Sequence, residues 1–198
     1  VYFRDVVPSK RAEQVALEVD KGARLVELIL SESDEISRMR KGVLVVRHRL
    51  GFVSANAGID RSNVPQDCER ERVLLLPVDP DKSAEKILHA LQKTYNLPLG
   101  VIITDSHGRP HRKGTTGIAI GVAGIPAVLD KRGSADRYGY ILQHTDIGIA
   151  DEISAAASLL MGQAGESQPI IILRGLELPQ TDGKASDIYR PKEKDLYR

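Results

Sequence analysis

Two apolar runs, Gly100-Val101-Ile102-Ile103 and Gly117-Ile118-Ala119-Ile120-Gly121-Val122-Ala123-Gly124, enclose the polar stretch Thr104-Asp105-Ser106-His107-Gly108-Arg109-Pro110-His111-Arg112-Lys113-Gly114. The first run has the length of a buried strand. It predicts a rigid strand end carrying a carboxylate, a hydroxyl, cations and histidines in one turn. Loops held by apolar strands are where ligand chemistry concentrates. An acidic side chain beside a hydroxyl suits a hard divalent cation, and arginines suit phosphate or carboxylate oxygens. The stretch therefore points to a metal-nucleotide or metal-phosphate site.

The rest of the chain places that turn in an α+β setting. Ser9, with Glu13 and the spaced Ala12, Val15, Ala16 and Val19, predicts a capped helix. A second helix is expected over 23–33, with Leu25, Leu28 and Ile29 inward. Residues 34–40 read as a charged connector, followed by a strand at 43–46 and its return at 51–53. Val73-Leu74-Leu75-Leu76-Pro77 reads as a strand, Asp79-Pro80-Asp81 as a turn, and 83–95 as an amphipathic helix through Ala84, Ile87, Leu88 and Leu91. Residues 130–140 are charged with two glycines and read as a flexible segment. A helix over 146–161 is packed by Ile149, Ala150, Ile153, Ala156, Ala157, Leu160 and Met161, and Ile170-Ile171-Ile172-Leu173 reads as a buried strand. Strands and helices do not alternate regularly, which favours α+β over a doubly wound sheet.

Composition closes off several classes. The 198 residues fit one large domain or two small intertwined ones, and the net charge of +1 supplies no bulk field for nucleic acid or an anionic membrane. The longest apolar run is interrupted by glycines and Pro126 and is too short to span a bilayer. The single cysteine, Cys68, excludes an internal disulfide framework and a cysteine-rich zinc site. It reads as an incidental thiol in a reduced, cytoplasmic protein. No Walker-A sequence is present, so a P-loop is excluded. Gly117 and Gly121 are not a dinucleotide fingerprint and are expected to permit close backbone packing.

Asp60 and Asp105 each follow a predicted strand and suit either a divalent cation or an ordinary turn. Ser106 suits a metal or a turn hydroxyl, and Asn63 a base, a phosphate or a turn. Arg109, Arg112 and Lys113 suit phosphate, an acidic substrate or solvent. His107 and His111 are weaker candidates, and Asp151-Glu152 reads as a helix start favoured by the macrodipole.

Taken in order, these pieces resemble the coenzyme F420-0:gamma-glutamyl ligase family. The resemblance rests on Ser54-Ala55-Asn56-Ala57-Gly58-Ile59-Asp60-Arg61-Ser62-Asn63-Val64, Leu76-Pro77-Val78-Asp79-Pro80-Asp81-Lys82-Ser83-Ala84 and Thr104-Asp105-Ser106-His107-Gly108-Arg109-Pro110. Further matches are Arg112 with the segment 114–124, Ile149-Ala150-Asp151-Glu152-Ile153, Met161-Gly162 and Arg174-Gly175-Leu176. It covers essentially the whole chain.

The resemblance implies a mixed-sheet α+β fold, an intertwined homodimer, and GTP-dependent joining of L-glutamate to F420-0, gamma-linked for later residues. It implies magnesium or manganese at two sites and potassium as activator. Asp60 and Asp105 would be metal ligands, Asn63 a GTP contact, and Ser106 a ligand of the second metal. Leu159, Leu160, Met161, Gly162, Gln163, Ala164, Gly165 and Glu166 would form the nucleotide loop, with Gln163 also on the second metal. Arg109 and Arg112 are the expected clamps for phosphate or acidic substrate. Acyl-phosphate chemistry follows, because phosphoryl transfer needs positioning and charge neutralisation rather than a protein nucleophile. A catalytically silent nucleotide- or deazaflavin-binding homologue and a metal-dependent phosphohydrolase are the alternatives. The chain is expected to be one domain over 1–198 lacking a family N-terminal segment that helps bind GTP, and His111 stands where family members often carry an aromatic residue.

Overall fold

The computed structural model describes residues 1–66 and 71–195, and the chain forms two compact units, Val1–Pro77 and Val78–Arg198. Cys68 lies outside the described residues. The secondary structure is α+β, and every strand pairing among the described residues is antiparallel, where a mixed sheet is expected.

In the first unit, α1 (Lys10–Val19) starts where the sequence predicts. The Ser9 side chain accepts a hydrogen bond from the Ala12 N–H at 3.2 Å, satisfying one of the helix's orphan donors. Its buried stripe is Ala12, Val15, Ala16 and Val19. Helix α2 (Ala23–Ser31) buries Val26, Leu28 and Ile29, with Leu25 only partly covered. Both helices lie on the buried face of β2 (Val43–His48), where Leu44, Val46 and His48 alternate with half-exposed residues. Full burial of a side chain such as Ile29 or Leu44 contributes about 1.5–3 kcal/mol. Strand β3 (Val53–Ala55) returns on β2, two residues later than the expected 51–53 and reaching into the segment read as loop.

Two expectations fail in this unit. Residues 34–40 are not a connector but strand β1 (Ser33–Arg40), paired with β2 through two register irregularities. Charge hides the strand because it is an edge, where exposed charged side chains discourage pairing with another chain. The segment at 73–77 is not a continuous strand. Val73 is buried, Leu74 is 55% exposed, and the pairing is confined to isolated bridges, Tyr2 with Arg72 and Asp60 with Leu74.

The second unit is built on a hairpin of β4 (Val101–Arg109) and β5 (Arg112–Ala123). Helix α3 (Pro80–Tyr95) begins earlier than predicted, because Asp79 is its cap. The Asp79 carboxylate accepts from the Lys82 N–H at 3.0 Å, and Pro80 takes the first helical position, where a missing N–H costs nothing. It buries Pro80, Ala84 and Leu88, while Ile87 is 47% exposed. Helix α4 (Ile149–Met161) ends at Gly162 and buries Ala150, Ser154 and Ala157, leaving Leu160 in solvent.

The glycines of β5 do let backbones close in. A methyl at Gly121 would sit 2.5 Å from the Pro80 carbonyl oxygen, and one at Gly117 would collide with the Ser154 carbonyl. The first turns of both helices also take up β5 amides: Asp151 accepts from the Ala119 N–H and Asp81 from the Val122 N–H, each at 2.8 Å. Asp81 accepts the Ala185 N–H as well, at 3.1 Å, tying down the 3-10 turn Ala185–Ile188.

The 130–140 segment is organised rather than loose: β6 (Leu129–Asp130) pairs with β7 (Asp146–Ile147), and Asp136 accepts from the Tyr138 and Tyr140 amides at 2.8 and 2.9 Å. The 170–173 run forms no strand. Ile170 and Ile172 are 81% and 74% exposed.

Candidate functional site

The stretch 104–114 is not a loop at a strand's end. Strand β4 continues through Asp105 and Ser106 to Arg109, and the turn is the pair Pro110–His111, with His111 at φ 58°. A positive φ after proline is the type II pattern that normally favours glycine. The polar residues are thus fixed by ladder hydrogen bonds, which holds them more tightly than a free turn would.

Strand alternation sorts the side chains. Ser106 sits opposite Gly117 and so shares the face on which α4 packs; Asp105 and His107 share the other face. Asp105 and Ser106 therefore do not converge on one point, and would serve two separate positions.

The Asp105 carboxylate is 28% exposed, and its Oδ2 lies 2.9 Å from Nε2 of His107, a ring only 7% exposed. Asp151, half-buried at the start of α4, has its carboxyl pushed up by burial. The hydrogen bond from Ala119 and the nearby His107 oppose that rise. Tyr189 is pushed well above the ordinary phenol range by burial and by the Asp81 and Asp151 carboxylates.

At the hairpin's end Arg109 and Arg112 are directly paired across the strands, both exposed, and with Pro110 and His111 they line an open depression. Like charges placed opposite each other repel, so the pair gains when an anion sits between them.

Asp60 and Asn63 belong to the first unit. Asp60 is exposed, held by two backbone hydrogen bonds to Leu74 at 2.9 and 3.1 Å. Its carboxylate accepts from the Ser62 N–H at 2.7 Å and from the Ser62 hydroxyl at 3.0 Å. Asn63 adopts φ 50°, a left-handed conformation that asparagine tolerates. Arg61 beside it pairs with Glu71 and lies over the Phe3 ring at 5.5 Å.

Residues 159–166 run from the last turn of α4 into an exposed loop, with Leu159 83% exposed. There the Glu166 carboxylate accepts from the Ala164 N–H at 2.7 Å, and the amides around it hold its pKa below the usual range.

Among the described residues no three His, Cys, Asp or Glu side chains group around a point that could hold a metal. The donors that are present, carboxylates at Asp60 and Asp105 and a hydroxyl at Ser106, are hard oxygens. They fit magnesium or manganese, which are held by one or two carboxylates completed by phosphate oxygens and water. His107 is the residue that sequence reasoning undervalued. Its signal was the two-residue spacing from Asp105, which becomes a shared face once 104–109 is read as strand.

Comparison with known proteins gives a consistent picture. The profile described as F420-0:Gamma-glutamyl ligase matches residues 1–175. The "Coenzyme F420:L-glutamate ligase" of Methanothermobacter thermautotrophicus is 44% identical over 200 residues, all of this chain and 78% of that protein. The protein of the same name from Methanocaldococcus jannaschii is 42% identical over 193 residues, 98% of this chain and 76% of its own length. That from Archaeoglobus fulgidus is 42% identical over 191 residues, 96% and 74%.

Proposed function

The chain belongs to the F420-0:gamma-glutamyl ligase family, and from that premise we propose that it adds L-glutamate to F420-0 at the expense of GTP, gamma-linked for later residues. The observation that carries this reading is the hairpin itself. The family match spans it, and within five residues of one strand it presents a carboxylate (Asp105), a hydroxyl (Ser106) and, at the turn end, the opposed guanidinium groups of Arg109 and Arg112.

A carboxylate does not accept an amine until one of its oxygens becomes a leaving group. In the proposed route the terminal carboxylate oxygen of the F420-0 substrate attacks the γ-phosphorus of GTP, and GDP leaves. The resulting acyl phosphate is attacked at its carbonyl carbon by the glutamate amine. Phosphate departs with the carboxylate oxygen, a proton is released, and an amide remains. The protein's work is positioning and charge neutralisation. Arg109 and Arg112 hold phosphate or the acidic substrate, Asn63 contacts GTP, and residues 159–166 form the nucleotide loop.

Asp60 and Asp105 would each be a metal ligand, and Ser106 and Gln163 ligands of a second ion; magnesium or manganese would serve, with potassium as a further activator. Bound there, such ions withdraw charge from the phosphoryl oxygens. A homodimer belongs to the same proposal, supported by the apolar side chains exposed at Leu159, Leu160, Ile170, Ile172 and Leu176. No helix among the described residues is long and apolar enough to cross a membrane.

The test is glutamylation of F420-0 in the presence of GTP, L-glutamate and Mn2+, followed by mass spectrometry. The product is expected to gain glutamyl units, and Asp105→Ala is expected to remove that gain while keeping a cooperative melting transition. Full turnover by Asp105→Ala would contradict the metal role of Asp105.

A further inference from the structure

We propose that His107 is a positioning residue for the Asp105 carboxylate, an inference that rests on the metal-holding role given to Asp105 above. An isolated aspartate at the rim of a hairpin samples several rotamers, and each must be given up when an ion binds. Here the choice is made beforehand. His107 stands two residues along the same strand and hence on the same face. Its ring is 7% exposed, and its Nε2 meets Asp105 Oδ2 at 2.9 Å. An ionised carboxylate only accepts hydrogen bonds, so the ring nitrogen facing it carries the proton and donates.

The carboxylate is thereby held by one oxygen and leaves the other, Oδ1, for a cation. Groups that orient a ligating side chain in this way typically alter metal affinity about 10–100-fold when removed. The gain comes from avoiding reorganisation at the moment of binding. The ring is fixed by burial and the register holding both residues is continuous from Thr104 to Gly108, so the pair is rigid.

The probe is Mn2+ alone, titrated without nucleotide and followed by loss of the free-ion electron paramagnetic resonance signal. His107→Phe fills the same space without a donor and is expected to weaken Mn2+ binding about tenfold or more. His107→Gln restores a side-chain N–H and is expected to remain within about threefold of the parent protein. Melting curves accompany each variant, and His107→Leu replaces His107→Phe should the latter not fold.

Unchanged affinity in the donor-free variant, with Asp105→Asn still losing the ion, overturns the positioning role and leaves the metal role standing. Equal losses in His107→Phe and His107→Gln overturn it as well, since packing alone would then explain both. Unchanged affinity in Asp105→Asn removes the metal role of Asp105, and the positioning role goes with it.

Discussion

Arg109 and Arg112 close the β4–β5 hairpin as a like-charged pair directly opposite each other, flanking a turn whose second residue, His111, has positive φ. Stability alone would select against that arrangement, because directly opposed like charges on a ladder destabilise it. An anionic ligand reverses the sign. Arg112→Ser is therefore expected to melt no lower than the parent protein while raising the KM for GTP or for the acidic substrate about tenfold or more, the value of one charge-assisted hydrogen bond. A lower melting temperature with unaltered KM would make the pair structural. At this scale the sequence was informative about chemistry and less so about placement. The carboxylate, hydroxyl and arginines stood out by type. Their fixation inside a ladder did not, because polar residues occupy both faces of 104–109 and erase the apolar–polar alternation that betrays a half-buried strand.

Single elements show where local signals suffice. The Ser9 cap and the buried stripe of α1 were legible because capping and helical spacing are decided within a few residues. The start of α3 was missed for a local reason too: an Asp-Pro pair initiates turns and helices alike, and here the Asp79 carboxylate caps the helix. The apolar runs at 73–77 and 170–173 misled because hydrophobicity reports a need for burial, not a strand. Val73 meets that need within its unit, while Ile170 and Ile172 do not. Gly121 makes the sharpest element-level case. It has no side chain because the start of α3 lies against it, so Gly121→Ala is expected to destabilise by about 1–3 kcal/mol, read from denaturant unfolding. The neighbour is backbone, which cannot rotate away as a side-chain tip would. A change below about 0.5 kcal/mol, the ordinary range for sites without such a feature, would show that α3 is free to shift.

For the whole molecule, the α+β class was legible from the irregular order of helical and strand patterns, and the family from motifs spread along the chain. The partition into Val1–Pro77 and Val78–Arg198 was not, because residues 77 and 78 join without a composition break or a linker of glycine and serine. Asp60 and Asn63 fall in one unit, and Asp105, Ser106, Arg109, Arg112 and the 159–166 loop in the other. The central claim of the proposed ligase is chemical: GTP activates a carboxylate rather than water. Substrate labelled with oxygen-18 in its terminal carboxylate tests that claim most directly. The phosphate released in the first glutamyl addition is expected to carry one labelled oxygen, whereas unlabelled phosphate at that step, formed by attack of water on GTP, would contradict it.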